Sequence, residues 1–270
     1  MIMEKKKILI VYFSPSGSTR HVAGVIEKRF KAMGTDVWGL DLGDCRDGAT
    51  KISRQIEEAK GNSCLFIGSP VYVSHAVPGV MECIAGLTEN TGAFSVPFVT
   101  WGGACSGISL FEMGNALFSK GITVLGAAKI LAVHSLMWQL EHPLGKGHPD
   151  SNDDRMVKDL VHHIHQKLHN DIPKGIELSD LGYQTEENHL EMEKISLEAA
   201  KDLMPSRKID TMLCTQCQIC QEICPVDAIK PEKPPIFDQD LCKTCLACLP
   251  ICPTGAYTAE DAVLALIKCE

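Results

Sequence analysis

The stretches CTQCQICQEICP (214–225) and CKTCLACLPICP (242–253) are one pattern written twice. Each reads C-x-x-C-x-x-C-x-x-x-C-P: Cys214, Cys217, Cys220, Cys224 and Pro225, then Cys242, Cys245, Cys248, Cys252 and Pro253. The copies are offset by 28 residues, and the repeat runs past the sulfurs, since Ala228 maps onto Ala256. Short turns at this spacing aim three soft thiolates at one centre, which suits the iron corners of a cubane cluster. Zinc is the competing reading. It takes four ligands, usually as two separated pairs, so the middle cysteine of each triplet would be surplus.

The rest of the chain sets the frame. Its 270 residues are 45% hydrophobic and 22% charged, enough for one large core and a small module beside it. A formal charge of -8 argues against nucleic acid or an anionic membrane as partner. Residues 205–270 hold six Lys/Arg against nine Asp/Glu, an acidic balance that steers toward a basic patch on a redox protein. No apolar run approaches the roughly 18 residues of a membrane helix, so no membrane insertion is expected. The start, MIMEKKKILIVYF, runs into Ser14-Pro15-Ser16-Gly17 without a cleavage-like end. Thirteen cysteines without an export signal point to a reducing, cytoplasmic setting where thiolates stay free for iron.

Along residues 1–170, short apolar runs (8–13, 36–41, 63–68, 96–101 and 122–133) alternate with amphipathic stretches (18–33, 52–60, 78–87, 110–120 and 153–168). Nearly continuous apolar strands are those covered on both faces. Five-fold strand–helix alternation predicts an α/β fold with a doubly wound, five-stranded parallel sheet, whose ligands bind beyond the carboxyl ends of the strands. Three loops fall at that edge. Ser14-Pro15-Ser16-Gly17-Ser18-Thr19 opens the first helix, where hydroxyls, free N–H groups and the macrodipole favour an anion. Gly17 admits a phosphate close to the backbone. An ordinary helix cap is the plainer alternative, but Ser14, Ser16, Ser18 and Thr19 exceed what a cap needs. The other two loops, Gly68-Ser69-Pro70-Val71-Tyr72 and Thr100-Trp101-Gly102-Gly103-Ala104-Cys105, each set an aromatic ring beside small residues, as a flat heteroaromatic ligand requires. There is neither a Walker A loop nor a G-x-G-x-x-G fingerprint, so NAD(P)H is not an expected direct donor.

These motifs carry a resemblance. SPSGST is similar to the phosphate-binding loop of flavodoxins, and GSPVY and TWGGA lie where that family's two isoalloxazine-contacting loops lie. The doubled cysteine run resembles bacterial two-cluster ferredoxins, and the whole chain resembles flavodoxin–ferredoxin fusion proteins. The resemblance implies a flavodoxin-like domain (1–170), a helical linker (171–206) and a small α+β two-cluster ferredoxin-like domain (207–270). It implies FMN, held by Ser14, Ser16, Gly17, Ser18, Thr19, Ser69, Pro70, Val71, Tyr72, Thr100, Trp101, Gly102 and Gly103. It also implies two [4Fe-4S] clusters whose fourth ligands are exchanged: Cys214, Cys217, Cys220 and Cys252 for one, Cys242, Cys245, Cys248 and Cys224 for the other. Pro225 and Pro253 stiffen the turn after each fourth ligand.

In the linker, Ile195, Ala199 and Leu203 stand at helical spacing before Pro205, predicting a helix that packs the domains together. The long loop 134–150, with His134 and Trp138, is a candidate lid. His162, His165 and His169 lie off the apolar stripe of their helix and read as a solvated face. Cys105 reads as an ordinary small residue, and Cys45, Cys64, Cys83 and Cys269 match no ligand pattern. The expected function is electron transfer between clusters, FMN and a redox protein, in either direction. The alternative is an FMN and iron–sulfur oxidoreductase acting on a small substrate.

Overall fold

The computed structural model describes residues 6–45, 47–137, 140–169, 173–201, 207–224, 226–242, 245, 247–249 and 251–259. Trp138, Leu203, Pro205, Pro225 and Cys269 lie outside the described residues. The first part alternates as expected: β1 (Lys7–Tyr12), α1 (Ser18–Ala32), β2 (Val37–Asp41), α2 (Gly48–Glu58), β3 (Ser63–Tyr72), β4 (His75–Ala76), α3 (Pro78–Ala85), β5 (Phe94–Trp101), α4 (Ser109–Ser119), β6 (Thr123–Val124), β7 (Ala128–Leu131) and α5 (Ser151–Leu168). The main strands run parallel in the order β2-β1-β3-β5, with β6 and β7 in turn completing the edge beside β5. With the two-residue β4 set aside, this is the flavodoxin-like order, whose switch point lies between β1 and β3.

Both faces of the sheet are covered, which is why its strands read as unbroken apolar runs. Leu9, Val11, Leu65 and Ile67 point to the layer of α2, α3 and α4, beside Ile52, Ile56, Val80, Ile84 and Met113. Their neighbours Ile8, Ile10, Phe66 and Phe98 point to the opposite layer, beside Val22, Ile26 and Phe30 of α1 and Val157, Val161 and Ile164 of α5. Deletion of any one of these side chains costs about 2–5 kcal/mol. α5 begins on a capping box in which Asp150 accepts from Asp153 N and Asp153 accepts from Asp150 N.

Three local details differ from the sequence reading. β3 extends through Ser69-Pro70-Val71-Tyr72 and turns back antiparallel into β4, pairing Val71 with Ala76 and Tyr72 with His75. The segment 122–133 is two short strands rather than one. The linker forms α6 (Glu186–Glu193) and α7 (Leu197–Lys201), and among its described residues Leu181 and Leu197 are buried while Ile195 is exposed.

The cysteine-rich part is a miniature two-fold object built from β8 (Arg207–Ile209), α8 (Ile219–Glu222), β9 (Ile229–Lys230), β10 (Ile236–Phe237) and β11 (Tyr257–Ala259). β8 pairs with β11 and β9 with β10, both antiparallel. The offset of the sequence repeat relates these contacts: Asp210 N donates to Ala256 O (2.8 Å), and its counterpart Asp238 N donates to Ala228 O (2.7 Å). Each half therefore closes on the other. Among the described residues its core cluster is Cys220, Ile229, Cys248, Leu249 and Tyr257, a module of the kind that needs a staple. Among the described residues, no helix is long and apolar enough to cross a membrane.

Candidate redox site

The serine-rich loop folds as an open cradle at the start of α1. Gly17 is the N-cap, in the left-handed region (φ 90°), and no side-chain hydroxyl caps from that position. Ser14, half a turn earlier, does that work: its Oγ accepts from Arg20 N at 2.8 Å. Ser16 and Gly17 are exposed, and nothing lies within 4 Å of where a Cβ on Gly17 would stand. The first-turn N–H groups of α1 have no carbonyl partner within the helix, so the loop offers donors and space to an anion. Thr19 faces the other way. It is buried, and its hydroxyl shares a hydrogen bond with that of Thr100 at the end of β5 (2.8 Å).

The two other loops are welded together. Ser69 Oγ donates to Pro70 O (2.8 Å) and accepts from Val77 N (3.0 Å), so this hydroxyl serves the hairpin. Ile108 N donates to Ser74 O at 2.8 Å, and Gly107 (φ 58°) lies so close that any side chain there would collide with the Ser74 carbonyl. Pro70 is buried in β3, while Val71, Tyr72, Trp101, Gly102 and Gly103 remain partly open at the strand ends. The segment after Trp101 is covered from above by the 134–150 loop. His134 N donates to Leu144 O (2.9 Å), and the His134 ring packs against Gly102. Burial lowers the pKa of His134 and holds it neutral.

The linker was the part of this site that the sequence did not announce. Tyr183 donates to Ser106 O (3.2 Å), and Gln184 donates to Gly107 O (3.2 Å). Lys129 Nζ stands 4.0 Å from the centroid of the Tyr183 ring. His75, at the foot of the hairpin, is bonded to Glu112 Oε1 (2.6 Å) through Nδ1 and to Met192 O (2.9 Å) through Nε2. Both partners can only accept, so the ring is doubly protonated there, and the Glu112 hydrogen bond foremost raises its pKa.

The sulfurs gather in two groups. Cys214, Cys217, Cys220 and Cys252 line one cavity, with Tyr257 against it. Cys245 feels the charges of Cys248, Cys242 and Cys224, so the second group is Cys242, Cys245, Cys248 and Cys224. No cysteine is in a disulfide among the described residues. Burial pushes the Cys245 thiol up to about 12, so a thiophilic metal has to displace a proton there. Burial also acts upward on Cys252, but hydrogen bonds from the Thr254 side chain and from backbone N–H groups of Thr254, Ala256 and Tyr257 outweigh it and lower its pKa. Cys217 is exposed, whereas Cys242, Cys245 and Cys248 are buried. Soft, convergent thiols outside any disulfide fit an iron–sulfur cluster.

The second sulfur group acts electrostatically on the sheet edge. Burial first, then the charges of Cys245 and Cys242, push the Tyr72 phenol well up. A cleft of about 1060 Å³ runs from Ser14 and Arg20 to Cys224 and Leu241. It borders the phosphate-type loop on its β2 side and does not include Tyr72, Trp101 or Gly102. The histidines of α5 do not converge on the site: His162 and His169 are exposed, as a solvated face should be.

Residues 207–230 and 235–258 each match the 4Fe-4S binding domain family. No curated protein matches the chain. Among solved structures, rubredoxin oxygen:oxidoreductase from the anaerobe Desulfovibrio gigas is 20% identical over 61% of this chain and 37% of its own, with a TM-score of 0.47, so the present chain spans little more than a third of that protein. Megasphaera elsdenii flavodoxin, in its two-electron reduced form, is 21% identical over 59% of this chain and 98% of its own, with a TM-score of 0.42. A flavodoxin from the domain Archaea is 17% identical over 61% and 99%, with a TM-score of 0.41. With the strand order of the sheet on one side and the paired 4Fe-4S repeats on the other, the chain is a flavodoxin-like α/β unit joined to a ferredoxin-type iron–sulfur module.

Proposed function

We propose that this protein is an electron carrier holding two [4Fe-4S] clusters and one FMN, and that it passes electrons to or from a redox protein. The observation that carries the reading is the pair of 4Fe-4S repeats following a doubly wound parallel sheet whose carboxyl-end loops stay partly open. Clusters supply single-electron steps and a flavin supplies one- or two-electron chemistry, so the pair converts between the two. In this reading Cys214, Cys217, Cys220 and Cys252 hold the outer cluster, and Cys242, Cys245, Cys248 and Cys224 hold the inner one. The shared cavity and the mutual charge effects described above support that division. Ser16, Gly17 and Ser18 cradle the FMN phosphate, while Tyr72, Trp101, Gly102 and Gly103 border its ring.

The chain's residues also give the module an outside and an inside. Cys217 and its neighbours Met212 (91% exposed) and Leu213 lie open to solvent, on the side where a protein partner docks. A reductase reading would need a pocket over the ring, and the large cleft runs on the β2 side of the phosphate-type loop without Tyr72, Trp101 or Gly102. An anaerobic preparation assayed for iron, sulfide and flavin, then titrated with dithionite, tests the proposal. About eight irons and one FMN per chain support it. A preparation without iron, or with iron and no flavin, removes one half of it.

A further inference from the structure

Tyr72 was read from the sequence as a ring-stacking residue, and its ring does pack on the core beside Val71. Its hydroxyl is another matter. It is fully buried at the sheet edge with no hydrogen-bond partner, although a buried phenol without a partner forfeits the hydrogen bonds that water would give. The charged groups acting on it are Cys245 and Cys242, two sulfurs of the inner group, which come from the other half of the chain. The antiparallel pairing of Tyr72 with His75 fixes the backbone beneath it, and the His75–Glu112 bond fixes the turn. A buried hydroxyl without a partner, close enough to those sulfurs to feel their charge, is a donor waiting for an acceptor.

We infer that Tyr72 donates a hydrogen bond to a sulfur of the inner cluster and so sets that cluster's potential from the flavodoxin-like side. This rests on the cluster reading above. A donor to sulfur stabilises the more negative, reduced state, and hydrogen bonds to sulfur are among the main levers on such potentials. Tyr72 is thereby a positioning and tuning residue at the junction, while its ring edge remains beside the flavin loop. Tyr257, another buried phenol, acts on the opposite side, beside Cys220, Cys248 and Cys214.

The test is a potentiometric titration of the anaerobic holoprotein followed by EPR, with the inner cluster's signal identified in a separate Cys245→Ser chain. Tyr72→Phe removes only the hydroxyl. The reduction equilibrium of the identified cluster is expected to fall about tenfold, or about 59 mV for one electron, with the other cluster unmoved. An unchanged potential, or a shift confined to the other cluster, overturns the inference. A second measurement needs no change at Tyr72. Ring-deuterated tyrosine in a Tyr257→Phe chain is expected to give deuterium ENDOR couplings on the identified cluster, and their absence overturns the inference as well. Loss of all iron from the unaltered protein would instead sink the cluster reading itself, and it is seen before any potential is measured.

Discussion

Thr19 and Thr100 share a buried hydrogen bond of 2.8 Å that ties the start of α1 to the end of β5, two segments 81 residues apart. The phosphate-type loop and the Trp101 loop are therefore held in register by one pair of hydroxyls. Replacing either by valine strands the other hydroxyl in the core, at a cost of about 1–3 kcal/mol. Thr19→Val and Thr100→Val are each expected to lower the urea midpoint and weaken FMN binding. The double variant should recover much of the stability, because both polar groups are then gone. Urea unfolding and flavin titration of all four chains check this. Equal, additive losses would show that the pair does not interact.

The crossed sulfur grouping makes a second prediction. Cys224→Ala should empty the site of Cys242, Cys245 and Cys248, although it sits next to Cys220 in sequence. Cys252→Ala should empty the other. Each variant is expected to keep about four of about eight irons, with a different EPR signal lost in each case. If Cys224→Ala removes the signal that Cys217→Ala also removes, the exchange of fourth ligands is wrong.

His75 gives the linker a pH dependence. Its folded pKa lies above the ordinary value of 6.5, chiefly through Glu112. The proton is thus bound more tightly in the folded chain. Its stabilising contribution is complete below pH 6.5 and disappears as pH rises through the folded value. The wild-type chain is expected to lose urea resistance across that interval, with faster amide exchange over Glu186–Glu193. His75→Gln, which does not titrate, should lack this component. Identical pH profiles for the two chains would exclude the role.

Two glycines separate folding from binding. Gly107→Ala sets a side chain into the Ser74 carbonyl at positive φ, and a loss of more than about 2 kcal/mol is expected. Gly17→Ala meets nothing within 4 Å, so it should cost only about 1 kcal/mol through its φ. Its larger effect is expected on FMN affinity, where the new methyl stands in the path of the phosphate. Thermal melts and flavin titration distinguish the two, and a Gly17→Ala chain with normal affinity would contradict the cradle.

Much of this was readable in advance where a period or a spacing reports a single physical demand. Buried parallel strands announce themselves as apolar runs, and β1, β2 and β5 fall within two residues of the expected bounds. β3 was cut short because Gly68 and Pro70 read as turn residues, yet Pro70 continues the strand, its register shared with Thr100. α2 starts at Gly48 rather than at 52 because its opening turn, Gly-Ala-Thr-Lys, carries almost no apolar signal. The doubled cysteine run was legible through spacing alone, and both copies match the 4Fe-4S binding domain family. The influence of Cys245 and Cys242 on Tyr72 was not, and neither were the bonds from Tyr183, Gln184 and His75. Those depend on residues brought together from distant parts of the chain, and periodicity records only what neighbours do.

The mooring of the linker has a kinetic consequence. Tyr183, Gln184 and Met192 fasten the chain along the flavodoxin-like unit shortly before the repeats begin at Arg207. Only 14 residues separate Met192 from Arg207, a short tether for the small module. Encounter between the two halves is then intramolecular, at an effective concentration that for short tethers reaches the millimolar range or above. Internal exchange should be first order and indifferent to dilution, leaving collision with the outside protein as the step that concentration and salt control.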